Sequence, residues 1–177
     1  MGDVVSDAET MAEGRYVRLV RRGQWEYAER IRGRNPVGIV AVTEAGRLLL
    51  VEQFRMPLQR RVIELPAGLV GDVAGQEAES LETAALRELE EETGYTAASI
   101  EVLTVGPPSS GLANELITLV RARGLKEDGR GGGDGTEDIT VHEVALAALP
   151  AWLAARAREG LLVDPKVWAG MWWAANS

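Results

Sequence analysis

The run Arg87-Glu88-Leu89-Glu90-Glu91-Glu92-Thr93-Gly94-Tyr95 sets four glutamates within five positions. Read as a helix, residues three and four apart share a face. Glu88, Glu91 and Glu92 then point the same way, and Glu90 faces solvent. Like charges at that spacing oppose helix formation and raise one another's pKa. A hard divalent cation, Mg²⁺ or Mn²⁺, reverses the penalty, because carboxylate oxygens are the ligands it prefers. The bland alternative for this stretch alone is a solvated acidic face.

Working outward, Glu79 lies eight positions before Arg87, just over two helical turns, so the two side chains lie near one face. Further upstream, Glu64-Leu65-Pro66-Ala67-Gly68 reads as a strand ending in a breaker pair. The assembly resembles the Nudix hydrolase signature: a glycine, a spaced glutamate, then Arg-Glu-apolar-x-Glu-Glu-x-Gly-apolar. The match is complete from Glu79 to Tyr95. One departure stands out: ten residues, Leu69 to Ala78, separate Gly68 from Glu79 where the family usually has five. This reads as an insertion of five residues in a loop rich in glycine and acids, where insertions are tolerated.

The resemblance implies an α/β fold, the Nudix α/β/α sandwich with a mixed sheet between helices. It also implies metal-assisted cleavage of a P–O–P bond by water. By matching positions Glu88 and Glu92 are the main metal ligands, Glu91 assists, and the Ala67 carbonyl is a further ligand. Arg87 and Glu79 form the ion pair that orients the helix.

Beyond this box the chain is similar to the ADP-ribose pyrophosphatase branch, over about residues 16 to 174. The segments carrying that likeness are Arg47 to Arg55, Val62 to Gly68, an N-terminal hairpin with Trp25-Glu26, and Glu137 to Val141 after a glycine-rich loop. The likeness implies that Trp25 stacks a base and Arg55 contacts phosphate, and that Glu64 pairs with a ribose or an arginine. Their alternatives are an aromatic packed on Tyr27 or the core and a surface arginine. For the general base it points first to Glu137, then Asp134, with Glu115 third; failing these, Glu91. The expected reaction is hydrolysis of ADP-ribose or a similar nucleoside diphosphate sugar to a nucleoside monophosphate and a sugar phosphate. GDP-mannose, another nucleotide sugar, and a noncatalytic nucleotide sensor are the alternatives. The branch also implies a homodimer in which N-terminal arms exchange.

Composition bounds the rest. The 177 residues fit one domain, with 46% apolar and 26% charged residues. A net charge of −8 argues against a nonspecific nucleic-acid binder. It leaves an anionic substrate open where metal and local arginines supply positive field. Without cysteine there is no disulfide framework or thiolate site. The one histidine, His142, sits in an alternating segment and reads as a strand-surface residue. No apolar run is long enough to span a membrane, and the acidic start is unlike a signal peptide, so cytoplasmic residence is the default expectation.

Along the chain, residues 1–13 read as a loose tail, 14–35 as a hairpin and dimerisation arm, and 36–177 as the hydrolase domain. Patterning predicts a hairpin over Tyr16–Ile31, a second from Val37–Thr43 to Leu48–Phe54, and strands at Arg61–Leu65, Ile100–Val105, Glu115–Ala122 and Ile139–Val144. Helices are predicted over Glu79–Thr93, Pro150–Glu159 and Val167–Ala175, the last with Trp168 and Trp172 as a core stripe. Gly124–Thr136 is glycine-rich, has no Gly-Lys-Ser/Thr, and reads as a mobile loop.

Overall fold

The computed structural model describes residues 7–72, 75, 77–133 and 138–176. Two four-stranded sheets form the centre. In the first, β4 (Arg34–Ala41) pairs in parallel with β10 (Ile117–Arg123), with β7 (Ala67–Val70) and β9 (Ser99–Gly106) antiparallel at the edges. In the second, β5 (Arg47–Arg55) lies between β12 (Ile139–Ala145) and β6 (Arg60–Glu64), and the short β13 (Leu162–Val163) runs parallel to β6. A small ladder joins β8 (Tyr95–Thr96) to β11 (Lys126–Glu127). Among the described residues three helices cover the sheets: α1 (Leu81–Thr93), α2 (Leu149–Arg158) and α3 (Pro165–Ala175).

The strand period of two divides the core. Val37, Ile39 and Ala41 pack toward α1 with Ala85, Leu89 and Val120. Val40, Leu48 and Leu50 pack on the opposite side with Leu149, Leu153 and Val167 of α2 and α3. The result is the mixed α/β sandwich expected from the sequence.

Val37–Thr43 and Leu48–Phe54 do not form the hairpin that their turn suggests. The turn is made, with Thr43 N–H donating to Arg47 O at 2.8 Å, but beyond a single bridge at Val42 and Leu48 the strands part into different sheets. Both are buried on both faces. Each needs cover above and below, which divergence into two sheets supplies.

The tail is shorter than expected. A strand, β1 (Glu9–Glu13), pairs with β2 (Val17–Arg22), which pairs with β3 (Trp25–Arg30). The arm is thus a three-stranded sheet. It lies against its own chain's loop after β9, where Ala28 N–H donates to Leu112 O at 2.8 Å.

The tryptophan stripe is also corrected. Trp168 and Trp172 are 43% and 56% exposed, and Trp172 meets Trp173 edge-on. The face of α3 that packs inward is Val167, Gly170, Met171 and Ala174. At Gly170 an added Cβ would lie 2.9 Å from Leu65 Cδ2, so the helix approaches the sheet along this line. His142 is half-buried, with Nε2 3.0 Å from Glu52 and its ring edge-on to Trp152.

Candidate active site

The acidic run folds as α1 because both ends are built to stop it. Ser80 Oγ accepts from Thr83 N–H at 3.1 Å, an N-cap. Gly94, at φ 76°, closes the other end, its N–H donating to Glu90 O. Ala84, Ala85 and Leu89 bury the helix on the sheet, and this packing turns Glu92 inward as well.

Glu92 is 3% exposed, and its Oε2 accepts from Ala67 N–H at 3.0 Å. One turn earlier, Glu88 lies flat on Gly68. An added Cβ there would fall 2.0 Å from Glu88 Cδ, so glycine is what admits the carboxylate. Two glutamates of α1 thus meet two consecutive residues of β7. Burial pushes Glu88 up to about 7, against the opposing charge and hydrogen bond of Arg87.

Arg87 ties the acids together. It donates to Glu79 from Nε at 3.1 Å, to Glu88 at 2.9 Å and Glu91 at 3.2 Å from Nη1, and to Asp72 at 3.4 Å from Nη2. The Glu79 side chain is 2% exposed, and its hydrogen bond from Arg87 holds its carboxyl below the usual range. Gly71 N–H also donates to Glu79, so the expanded loop returns to the ion pair.

Glu91 is less buried than the other two and shares Arg87 Nη1 with Glu88. Its side chain is 42% exposed and leans on Arg87. Among the described residues no three acidic or histidine side chains converge as a ready metal cage.

In front of this helix lies a cleft of about 350 Å³ that brings together Arg55, Glu64, Ala67, Glu88 and Glu115 from the sequence reading. Arg55 Nε pairs with Glu64 at 2.7 Å. Glu115 pairs at 2.7 Å with Arg30, the last residue of β3. Arg30, Asp72 and Lys166 also line the cleft, and no sequence motif marks them as site residues. Their loop and element ends carry no periodic signal; only folding brings them here.

Trp25 does not reach this cleft. It is 67% exposed, packs neither in the core nor over the cleft, and borders a separate hollow of about 340 Å³ with Tyr27, Arg22, Ser110 and Asn114. Glu137 and Asp134 lie outside the described residues. Their flanks are held. Gly132 and Gly133 N–H donate to Glu92 O and Glu91 O at 2.9 Å, and Arg61 Nη1 donates to Asp138 at 2.8 Å.

Paired glutamates seated on a glycine-bearing strand, under a cleft lined with arginines, belong to the fold and site of a Nudix hydrolase. The chain is a member of that family: residues 33–162 match the NUDIX domain. It is 35% identical over 145 residues to the methanol dehydrogenase activator of Bacillus methanolicus, covering 78% of this chain and 76% of that one. It is 41% identical over 112 residues to the ADP-ribose pyrophosphatase of Bacillus subtilis, covering 62% of this chain and 57% of that one. A crystal structure of an ADP compounds hydrolase shares the fold, with a TM-score of 0.64 at 20% identity over 84% of this chain and 82% of the other. No helix among the described residues is long and apolar enough to cross a membrane.

Proposed function

We propose that the protein hydrolyses the pyrophosphate bond of ADP-ribose or a similar nucleoside diphosphate sugar, with Mg²⁺ or Mn²⁺, to a nucleoside monophosphate and a sugar phosphate. The observation that carries this reading is the meeting of Glu88 and Glu92 with residues 67 and 68 beneath a cleft holding Arg30 and Arg55. The donor set fits the ion. Mg²⁺ takes one or two carboxylates, keeps several waters, and completes its shell from substrate phosphates. Glu88, Glu92 and the Ala67 carbonyl would hold it, with Glu91 assisting. When bound, the cation would supply neutralisation of the phosphate charge that develops in P–O–P cleavage.

The chain's own residues do the rest. Arg55 and Arg30 bind the diphosphate, each presented in a fixed orientation by Glu64 or Glu115. Arg87 and Glu79 hold the orientation of the glutamates. The proton of the attacking water goes to Glu137, with Asp134 second. Glu115 is the weakest of the three, because Arg30 already holds its carboxylate. Trp25 and Tyr27 stack the base. The relatives that share the sequence support the substrate class by name, one being an ADP-ribose pyrophosphatase.

The protein acts as a homodimer in the cytoplasm, on a small nucleotide sugar and not on nucleic acid. The arm supports the dimer: Met11, Val17, Leu19 and Trp25 stand exposed on it, and apolar residues gathered on one exposed element mark an interaction surface. Phosphatase-coupled phosphate release from a panel of nucleotide sugars, GDP-mannose included, with and without Mg²⁺, tests the reading. ADP-ribose is expected as the preferred substrate. Turnover of none of the panel, or equal turnover in chelator, overturns it.

A further inference from the structure

We propose that an apolar hollow beside the cleft is the subsite for the sugar of the substrate, with Lys166, held by Asp164, reading the sugar hydroxyls. This rests on the nucleotide-sugar reading above. The hollow, about 440 Å³, is walled by Pro107, Pro108, Leu119, Pro165 and Ala169. It adjoins the cleft: Pro108, Ile117 and Lys166 line both.

The fold fixes the polar pair at that junction. β13 runs parallel to β6, and the next residue, Asp164, donates its N–H to Ile63 O at 2.9 Å. The start of α3 is thereby set beside Glu64, at the cleft. Asp164 Oδ1 accepts from Lys166 N–H at 2.7 Å, and Oδ2 accepts from the Lys166 ammonium. Both side chains are partly buried, so the pair is held rather than swinging in solvent.

A sugar ring offers C–H faces to apolar walls and hydroxyls that both donate and accept at its rim. An ammonium beside a carboxylate supplies both partners. A second phosphate would meet the Asp164 carboxylate. A base has better company elsewhere: among the described residues no aromatic side chain lines this hollow, whereas Trp25 and Tyr27 border the one by the arm. The substrate then lies with its base toward the arm, its diphosphate over α1, and its sugar against α3.

Calorimetric binding of AMP and of ribose 5-phosphate to the wild type, Lys166→Met, Lys166→Arg and Ala169→Phe tests this. Ala169 is exposed and lines the hollow but not the cleft, so Ala169→Phe fills the subsite with the fold intact. Lys166→Met and Ala169→Phe are each expected to weaken ribose 5-phosphate by about tenfold, or about 1.4 kcal/mol, and to leave AMP within about twofold. Lys166→Arg recovers part of the loss. On ADP-ribose the two variants raise KM more than they lower kcat. Weakened AMP with unchanged ribose 5-phosphate places the base here and overturns the proposal; so does no change in either ligand. A wild type that turns over no nucleotide sugar refutes the reaction instead, and the binding arm still decides the subsite.

Discussion

Gly68 and Glu88 compete for one volume, and that decides where charge sits in the cleft. Because residue 68 has no Cβ, the Glu88 carboxylate settles against backbone, loses water, and is pushed up to about 7 from 4.5. Its contribution to stability in metal-free protein is therefore present below pH 4.5 and lost as pH rises toward 7. The limiting slope is about 1.4 kcal/mol per pH unit. Glu79 acts in the opposite sense and lower down: its depressed pKa contributes above its ordinary value and is lost on acidification. Urea midpoints in chelator across this range should fall for wild type and stay flatter for Glu88→Gln; equal slopes would count against the assignment. Glu92 gives a second test at this scale. Glu92→Gln keeps the shape of a buried side chain that accepts from Ala67, so the fold should hold and apo stability stay level or rise. Turnover at saturating metal should drop by about 10²-fold or more, and near wild-type rates would refute the metal role.

At the scale of elements, α1 and the glycine-rich segment are one unit. The sequence reads that segment as mobile, but residues 128–133 are docked on the helix end. Asp128 and Gly129 N–H donate to Gly94 O, and Gly132 and Gly133 to Glu92 O and Glu91 O. Such contact needs bare backbone: an added Cβ at Gly131, at φ 62°, would lie 2.4 Å from Thr93 C. Gly131→Ala is therefore expected to cost about 2–4 kcal/mol, combining backbone strain with a clash that no side-chain rotation relieves. Gly46→Ala, at φ 70° with open space around it, carries strain alone and should cost about 1 kcal/mol. Chemical denaturation of both compares them directly; equal losses would mean the docking contributes nothing. The same docking holds Gly133 at α1, and Arg61 holds Asp138. If Glu137 takes the water proton, Glu137→Gln lowers kcat strongly with KM and metal affinity little changed. Full kcat in that variant, with loss in Asp134→Asn or Glu115→Gln, would reassign the base.

For the whole molecule the open question is what covers the arm. β3 is anchored on its own chain by Ala28–Leu112, by Asn114 to Glu29 at 2.7 Å, and by the Arg30–Glu115 pair that reaches the cleft. Its exposed apolar residues remain to be buried, and a second copy is the partner proposed. Light scattering at micromolar concentration should give twice the chain mass. Removal of residues 7–31 should give a monomer with weakened substrate binding, because Arg30 is lost from the cleft. A wild-type monomer would refute the dimer.

What the sequence determined by itself was local. The spacing of Arg87, Glu88 and Glu92 was readable as one helix, because helical periodicity is set by backbone geometry alone; Glu79, expected inside that helix, lies before its N-cap Ser80, so the fold of the preceding loop and not helical spacing brings it to Arg87. Gly94 as the helix end and the alternating strands were readable from local pattern too. Tertiary structure decided what local rules cannot rank. It separated β4 from β5, since a strand buried on both faces seeks cover rather than its neighbour in sequence. It turned Trp168 and Trp172 outward, because Gly170 sets which face of α3 approaches the sheet. It left Glu91 more exposed than Glu88 and Glu92, though still beside Glu88 on Arg87 Nη1, because burial reaches only one side of α1. It also carried Arg30 and Lys166 to the cleft from near opposite ends of the chain, a meeting fixed by strand pairing at long range and invisible to any window of sequence.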